Sequence, residues 1–190
     1  MIYKGFRLNR IRRIADGLIG GWIEKEDNLS QDGTCFVYDD AKVFGNAKVY
    51  GSAKIKSSAN VYGNALVYGQ TSVLEEASIY ENAAIYGEAI VYGSARIFGD
   101  ARIFENADVS GDAIIHSGVK VYGDSYVYGA SILHGNASIF GNAKVCGYSE
   151  IYDKARIHGD SKVCGSARVY GHSDIYNDVR ISSGDITDEI

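Results

Sequence analysis

The sequence has no proline, three cysteines and four histidines in 190 residues, and each scarcity excludes a class of structure or site. Without proline, chain reversals depend on glycine, which occupies 23 positions. Three cysteines without CxxC spacing indicate neither a disulfide framework nor a zinc knuckle. No apolar run approaches the ~18 residues that a membrane-spanning helix needs, so we expect no membrane association.

The net charge is slightly negative, since 19 lysines and arginines oppose 24 aspartates and glutamates to give −5. This mild acidity argues against a dominant polyphosphate-binding surface, so nucleic acid is not an expected partner. Residues 1–15 nevertheless carry five basic side chains and no acid, which form either a nucleic-acid contact or a basic cap: Lys4, Arg7, Arg10, Arg12 and Arg13. Because arginines interrupt its apolar residues, this segment is no secretory signal, and we expect a cytoplasmic protein with reduced thiols.

The dominant feature is an internal repeat, because residues 35–184 divide into 25 hexads without insertion or deletion. The consensus is Ala-x-Val/Ile-Tyr-Gly-Asn, in which the third residue is always aliphatic and the fifth is glycine in 16 hexads. Alternation of small, variable, aliphatic and aromatic residues is the period-2 pattern of a strand whose first and third residues face inward. Glycine followed by Asn or Asp then turns the chain, so each hexad predicts a short strand and a corner.

The aromatic fourth position of the hexad shows how many hexads form one coil. When the hexads are sorted with a period of 18, two of the three classes carry a ring throughout. One runs Phe44, Tyr62, Tyr80, Phe98, His116, His134, Tyr152 and Tyr170, and the next runs Tyr50, Tyr68, Tyr86, Phe104, Tyr122, Phe140, His158 and Tyr176. Every residue without a ring falls in the remaining class, which runs Tyr38, Lys56, Leu74, Tyr92, Ser110, Tyr128, Cys146, Cys164 and Ser182. This predicts an all-β, three-sided parallel solenoid of about eight coils, roughly 40 Å long.

The hexad resembles the repeat of the hexapeptide, left-handed β-helix proteins, and its Ala-x-Val-Tyr-Gly-Asn form looks like the YdcK-type β-solenoids of bacteria and phages. The segment from Gly20 to Gly51 is similar to the one that opens those repeats. The resemblance covers roughly residues 15 to 184 and implies left-handed coiling and a bacterial or phage origin. It implies no single activity, because the class includes acyltransferases, γ-type carbonic anhydrases and proteins of no known function.

The repeat divides the chain into an N-terminal cap of residues 1–34, the solenoid of residues 35–184 and a tail of residues 185–190. Apolar residues of the cap are expected to cover the first coil: Ile2, Phe6, Leu8, Ile11, Ile14, Leu18, Trp22 and Ile23. Within it, the spacing from Leu8 to Leu18 fits a short helix as well as strands, so the sequence leaves both open. At the other end, either Ile186 and Ile190 pack over the last coil or another chain covers it.

The resemblance raises two kinds of catalytic site, acyl transfer with a histidine base and zinc held by three histidines. However, His116, His134 and His158 occupy ring positions and His172 lies at a corner. A general base needs an orienting partner and a pocket, and a smooth rod offers neither. Only His116 and His134 are vertical neighbours, whereas a catalytic zinc uses three protein ligands. We therefore expect no catalytic residue, no metal and no cofactor.

The side of the prism that lacks the aromatic column is the candidate interaction surface. Its outward residues include two apolar pairs, separated by Asp108 and Ser110: Ile90 with Tyr92, and Tyr126 with Tyr128. Loss of the rings on one side only suggests that this side meets a different environment. Cys146 and Cys164 lie one coil apart on the same side, and in a reducing compartment we expect free thiols there.

One column of corners is acidic, and Glu88, Asp124 and Asp160 on it could imitate a phosphate strand. Corners also prefer Asp and Asn for backbone reasons, so the column has a structural explanation as well. The sequence thus predicts a non-catalytic scaffold or binding protein that acts through contacts on its faces and self-associates as a dimer or trimer, with a host protein as another possible partner. The alternatives are an acyl-CoA-dependent hexapeptide acyltransferase and a phage inhibitor that occupies a host protein's binding surface.

Overall fold

The computed structural model describes residues 1–187 and shows an all-β chain wound into a parallel solenoid of about nine turns. Residues 18 apart are paired, as in the pairs Val61 with Ile79 and Val67 with Ile85. This register confirms the three-sided coil of 18 residues. The left-handed winding stays a prediction of the family resemblance. Across the described chain there is no α-helix, and Glu26–Asn28 forms a single 3-10 turn.

Three sheets form the sides of the prism, and we name them the first, second and third face in the order in which the hexads visit them. The first face consists of Phe36–Val37, Lys54–Ile55, Ser72–Val73, Ile90–Val91, Asp108–Val109, Tyr126–Val127, Lys144–Val145, Lys162–Val163 and Arg180–Ile181. The second consists of Asn9–Arg12, Ile19–Ile23, Lys42–Val43, Asn60–Val61, Ser78–Ile79, Arg96–Ile97, Ile114–Ile115, Ile132–Leu133, Glu150–Ile151, Arg168–Val169 and Asp185–Ile186. The third consists of Leu29–Gly33, Lys48–Gly51, Leu66–Val67, Ala84–Ile85, Arg102–Ile103, Lys120–Val121, Ser138–Ile139, Arg156–Ile157 and Asp174–Ile175.

The inner wall is mainly apolar behind all three faces, although serine or threonine takes some buried first positions, such as Thr71 behind the first face and Ser131 behind the second. First and third residues of the hexads point inward, and Ala101 and Ile103 are typical in having no exposed surface. These residues form one continuous apolar cluster along the rod. Each coil also donates backbone hydrogen bonds to the next, such as the 2.9 Å bond from Lys42 N–H to the Ala59 carbonyl. Because burial of a branched side chain contributes about 1.5–3 kcal/mol, the aliphatic column holds successive coils together.

The corners depend on backbone conformations with positive φ. Gly111 has φ of +69°, and a Cβ there would lie 2.8 Å from the amide nitrogen of Gly129 in the next coil. Glu105 occupies the same kind of corner with φ of +57°. Its carboxylate accepts a hydrogen bond of 2.9 Å from the amide of Gly123, one coil onward. This bond offsets the strain of a non-glycine residue in the left-handed region, which is why acids replace glycine at several corners.

The N-terminal segment forms strands. Asn9–Arg12 pairs antiparallel with Ile19–Ile23, which excludes the helix that the spacing of Leu8 to Leu18 left open. Ile19–Ile23 then pairs in parallel with Lys42–Val43, so solenoid pairing begins before the first hexad. This earlier start explains why the rod has about nine turns and the hexads alone predicted about eight.

The apolar residues of the cap divide into two groups. Leu8 and Ile23 are buried, and Ile11 packs partly against the core, as predicted. Ile2 and Ile14 are 81% and 98% exposed, so the expectation that they cover the first coil was wrong. The reason is geometric, because Ile2 lies in a separate two-stranded sheet with Phe6–Arg7 and Ile14 lies in the connection between Asn9–Arg12 and Ile19–Ile23, so neither is in a strand that pairs with the solenoid.

At the C-terminal end, Asp185–Ile186 adds a last strand to the second face by pairing with Arg168–Val169. The step from Val169 to Ile186 is one residue shorter than the regular 18, and this shortening places an isoleucine where the register would otherwise put Thr187. Ile186 packs partly against the core, which confirms its predicted role. The same prediction for Ile190 falls outside the described residues.

Candidate interaction face

The outward rings of the second and third faces form two unbroken stacks of eight rings each. Tyr62 and Tyr80, for example, have ring centres 5.0 Å apart and planes only 5° from parallel. Stacked in this way, the rings present their edges to solvent and keep their faces against one another. These two faces therefore offer no free ring surface on which a nucleic-acid base could stack.

The first face is different, because across residues 1–187 none of its rings stacks on a ring of the neighbouring coil. Its apolar side chains are instead open to solvent: Tyr126 is 44% exposed, Ile90 39% and Tyr128 37%, while Tyr92 is half-buried. The structure thus brings the four predicted surface residues onto one sheet. The strands of Ile90 and Tyr126 both pair with the strand of Asp108 between them.

Asp108 is the polar centre of this region. Burial raises the pKa of its carboxyl group, and a weaker interaction with the Tyr92 hydroxyl opposes that rise. Its neighbours in register are Ile90 and Tyr126, which carry no compensating charge. Within the described part of the chain, no lysine or arginine forms an ion pair with it. The first face therefore holds a half-buried carboxylate that lacks a basic partner.

Toward the C-terminal end the same face becomes basic, because Lys144, Lys162 and Arg180 follow Tyr126 in one outward column. The Lys144 ammonium lies 5.4 Å from the centre of the Tyr126 ring, within range of a cation–π interaction. None of the three basic residues forms an ion pair with an acid of residues 1–187. The exposed apolar centre is thus flanked by Asp108 on one side and by basic side chains on the other.

The corner between the first and second faces extends the apolar surface. Ala130 lies at this corner in the coil of Tyr128, and Tyr148 stands one coil onward with 80% of its surface exposed. Ile132, the next outward residue on the second face, is 37% exposed. Asp112 occupies the corner one coil before Ala130. Here too an acid precedes the apolar centre along the rod.

The predicted acidic column lies at the opposite edge of the first face. Three of its four carboxylates accept a hydrogen bond from a side-chain amide one coil earlier: Gln70 to Glu88 at 3.4 Å, Asn106 to Asp124 at 2.8 Å and Asn142 to Asp160 at 2.8 Å. Acids and amides therefore alternate from Gln70 to Asp160, and the last residue of the column, Asp178, is a second consecutive acid. A nucleic-acid strand carries a charge at every step, so this alternation is a poor imitation of a phosphate backbone.

Two histidines have acidic partners, and the expectation that the rod offers no orienting group was wrong on this point. His158 Nε2 lies 2.9 Å from Asp174 Oδ1, and Arg156 holds the other oxygen of that carboxylate at 3.2 Å. His134 Nε2 lies 3.4 Å from Glu150 Oε1. No histidine lines the three surface cavities described for this protein, so these pairs stand on open faces and not in pockets.

His116 and His134 are the pair that could share a metal. Their rings stack with centres 5.4 Å apart inside the aromatic column of the second face. Burial lowers the pKa of His116, and the neighbouring His134 lowers it further. Among residues 1–187 no group of three or more His, Cys, Asp or Glu side chains is placed to hold a metal ion.

Cys146 and Cys164 form a disulfide bond, so the expectation of free thiols was wrong. The stacking of adjacent coils brings their Cα atoms to 4.4 Å, at the short end of the range that a disulfide spans. Cys35 is free and buried. Burial raises the pKa of its thiol, which disfavours the reactive thiolate.

The basic N-terminal segment is engaged within the chain. The Arg10 guanidinium lies 3.4 Å from Asp40 and covers the Trp22 ring at 5.0 Å. The Lys4 ammonium lies 4.6 Å from the centre of the Tyr62 ring, at the start of the second-face stack. An open cavity of about 680 Å³ lies beside the strand Asn9–Arg12 and is lined by both polar and apolar side chains, among them Arg12, Ile14, Glu26 and Phe36. These contacts support a basic cap.

Comparison of the chain with models of known protein families and with curated proteins found no match. In the part of the chain that the structure describes, no helix is long and apolar enough to cross a membrane.

One set of contacts was not predicted from the sequence. In these contacts the fourth residue of a hexad, the ring position, meets the second residue of a hexad in the next coil, 16 residues later in the chain. This spacing relates four polar contacts: His134 with Glu150, His158 with Asp174, Tyr80 with Arg96 and Tyr152 with Arg168. The diagonal follows from the strand geometry, since an outward side chain also reaches the diagonal position of the neighbouring strand. A search for acids 16 residues after each histidine would have found both pairs.

Proposed function

We propose that this chain is a non-catalytic β-solenoid that acts through protein–protein contacts on its first face. By its repeat we place it with the hexapeptide, left-handed β-helix proteins of the YdcK type, and left-handed winding is part of that proposal. The observation that carries the function is the contrast between faces. Rings are stacked along the second and third faces, whereas on the first face the exposed Ile90, Tyr126 and Tyr128 have no ring stacked on them in the described chain. Contact surfaces are rich in such aromatic residues.

The cytoplasmic location inferred from the sequence belongs to this proposal. The Cys146–Cys164 bond opposes it, because disulfides are rare in cytosolic proteins. Acid quenching of intact cells, followed by alkylation of free thiols in the unfolded chain, separates the two, because Cys146 is only 7% exposed in the folded chain and would be protected there even as a thiol. We expect both cysteines to be alkylated if the protein resides in the cytoplasm, and protection of the pair would contradict that location.

Site-specific photo-crosslinking tests the contact function. A benzophenone amino acid replaces Tyr128 in one variant and Tyr176, on the third face, in a matched control, since the two side chains are 37% and 38% exposed. Each variant is irradiated at equal concentration in native lysate. We expect adducts of discrete mass from position 128 and none from position 176. Equal adducts from both positions, or none from position 128, would refute a contact function of the first face.

A second candidate, the acyl-CoA-dependent acyltransferase, is favoured by one observation, the His158–Asp174 pair with Arg156 on the same carboxylate. A carboxylate that orients an imidazole is the arrangement of a general base. Titration with acetyl-CoA, followed by nuclear magnetic resonance, decides between the candidates. Shifts near His158 that disappear in His158→Ala would support the enzyme, and the proposed contact function expects none.

A further inference from the structure

We propose that the first face binds a second copy of this chain, with the two rods antiparallel about a two-fold axis that lies in the contact plane and runs parallel to the strand Tyr126–Val127. This inference rests on the proposed function and identifies its partner. Antiparallel packing about such an axis places each outward column against the same column in reverse order. Tyr126 and Tyr128 then meet their own counterparts at the centre of the contact, where the exposed apolar surface is greatest.

The order of residues along the column makes this arrangement complementary in charge. One coil from the centre, Asp108 faces the partner's Lys144. Two coils from the centre, Ile90 faces the partner's Lys162, whose aliphatic stem can pack on it while the ammonium reaches the adjacent Glu88. At the neighbouring corner, Asp112 faces the hydroxyl end of the partner's Tyr148. Both members of each pair are repeated by the two-fold axis, as an isologous contact requires.

A second copy supplies what one chain lacks. Asp108 is half-buried without a basic partner, and Lys144 is exposed without an acidic one. Within one chain, register places them on either side of the Tyr126 strand. They are thus separated by two strand spacings, or about 9.6 Å. They do not pair with each other there, whereas the antiparallel dimer brings them together twice.

Charge also selects the orientation. Parallel rods would place the basic ends of both first faces at the same height, and Lys144, Lys162 and Arg180 of the two copies would repel. The antiparallel dimer has unfavourable contacts along one corner at the rim, where Asp124 approaches its own counterpart and Glu88 approaches the partner's Asp160. The proposal therefore expects Asp124→Asn to tighten the dimer.

The size of the contact predicts its strength. A two-fold axis at the central strand lets seven strands of each first face overlap, from Ser72–Val73 to Arg180–Ile181. At about 4.8 Å per strand and about 15 Å of width, each copy buries roughly 500 Å². A total near 1,000 Å² lies at the low end for specific interfaces. We expect a reversible dimer that is detectable by sedimentation at tens of micromolar.

Sedimentation equilibrium with charge-swapped variants tests both the dimer and its register. Asp108→Lys places lysine against lysine, and Lys144→Asp places aspartate against aspartate, so each variant alone should dimerise at least about tenfold more weakly than wild type. An equimolar mixture restores both pairs in the heterodimer. Its dissociation constant should return to within about threefold of the wild-type value. Recovery on mixing also shows that both variants are folded.

Tyr126→Ser should weaken the dimer about tenfold, whereas Tyr176→Ser, at a similarly exposed ring on the third face, should leave it unchanged. A wild-type chain that sediments as a 20.6 kDa monomer at tens of micromolar overturns the proposal, as does a mixture no tighter than its components. Such a failure is distinguishable from failure of the proposed function. In that case the photo-crosslinker at position 128 would still capture a different protein from lysate but give no adduct with purified chain.

Discussion

The three faces share an inner wall of mainly alanine, valine and isoleucine and differ most in their outward residues. Fully buried serine or threonine interrupts this wall at Thr71, Ser125, Ser131, Ser149, Ser161 and Ser173. Unbroken stacks of rings cover the second and third faces. The first face instead presents single aromatic residues, one half-buried carboxylate and a basic column. The inner positions of the hexad therefore determine the coil, and the outer positions determine what each side does. On two sides the outer residues add stability, and on one side they are available for contact.

We expect the buried isoleucines behind the three faces to contribute equally to stability. Ile55, Ile97 and Ile103 lie behind the first, second and third faces, and all three are fully buried. Substitution of each by alanine should lower the free energy of unfolding by about 2–5 kcal/mol, with differences of less than about 1 kcal/mol between faces. Urea denaturation measures the three values. A much smaller loss at Ile55 would show that the first face is less well packed, and the comparison would then fail.

The second prediction separates stacked rings from single ones. Tyr122 stacks between Phe104 and Phe140, with ring centres 4.8 and 5.0 Å away, whereas Tyr128 has no ring stacked on it in the described chain. Tyr122→Ser should cost about 2–3 kcal/mol of unfolding free energy, because two stacking contacts and their burial are lost. Tyr128→Ser should cost about 0.5 kcal/mol. Denaturation at about 1 µM, well below the concentration at which the proposed dimer is expected to form, compares the two variants directly, and equal losses would contradict the distinction between the faces.

The fold was predictable because its signal is repeated. A single pair such as Val61 and Ile79 says little, but 25 aliphatic positions in one frame determine the period, the register and the buried side of each strand. The ring positions then distinguished the three faces, because a continuous stack requires a ring in every coil and only two of the three columns meet that requirement. Regularity also limits the prediction, and it fails where the frame changes. The shortened step to Ile186 and the antiparallel strand Asn9–Arg12 depend on contacts at the ends that no repeat encodes.

The candidate site was only partly predictable. The sequence placed Ile90, Tyr92, Tyr126 and Tyr128 on one side, and the structure confirms that side. It could not show that Asp108 is half-buried, because burial depends on how neighbouring outward side chains lean. The disulfide was missed for a different reason. The repeat did place Cys146 and Cys164 one coil apart, but the inferred compartment argued for free thiols.

The third prediction concerns the histidines within the ring stack of the second face. Burial lowers the pKa of His116 in the folded chain below the ordinary value of 6.5, so the unfolded chain binds a proton more readily. Stability is then lost as the pH falls through about 6.5 toward the lowered pKa. His116→Phe keeps a ring between Phe98 and His134 and removes the titrating group. The unfolding free energy of wild type should therefore fall below that of the variant in acid, and parallel curves between pH 7 and pH 5 would argue against the burial of this ring.

The smallest expected effect belongs to Asp108 on the first face. Burial raises the pKa of this carboxyl group, so the folded monomer holds its proton more tightly than the unfolded chain does. As the pH rises through the raised pKa, the monomer should lose stability relative to Asp108→Asn, which has no charge to bury. Urea denaturation at about 1 µM between pH 3 and pH 7 measures this difference.

Wild type and Asp108→Asn can also be compared at tens of micromolar, where the proposed dimer is expected to form. In the proposed antiparallel dimer the partner's Lys144 would favour the ionised carboxylate, so deprotonation should strengthen association while it weakens the monomer. Dimerisation of wild type should therefore tighten as the pH rises from 3 to 7, and that of Asp108→Asn should not. If the dissociation constants of both proteins follow the same pH curve, Asp108 does not face a base across the contact, and the first face associates through its tyrosines alone.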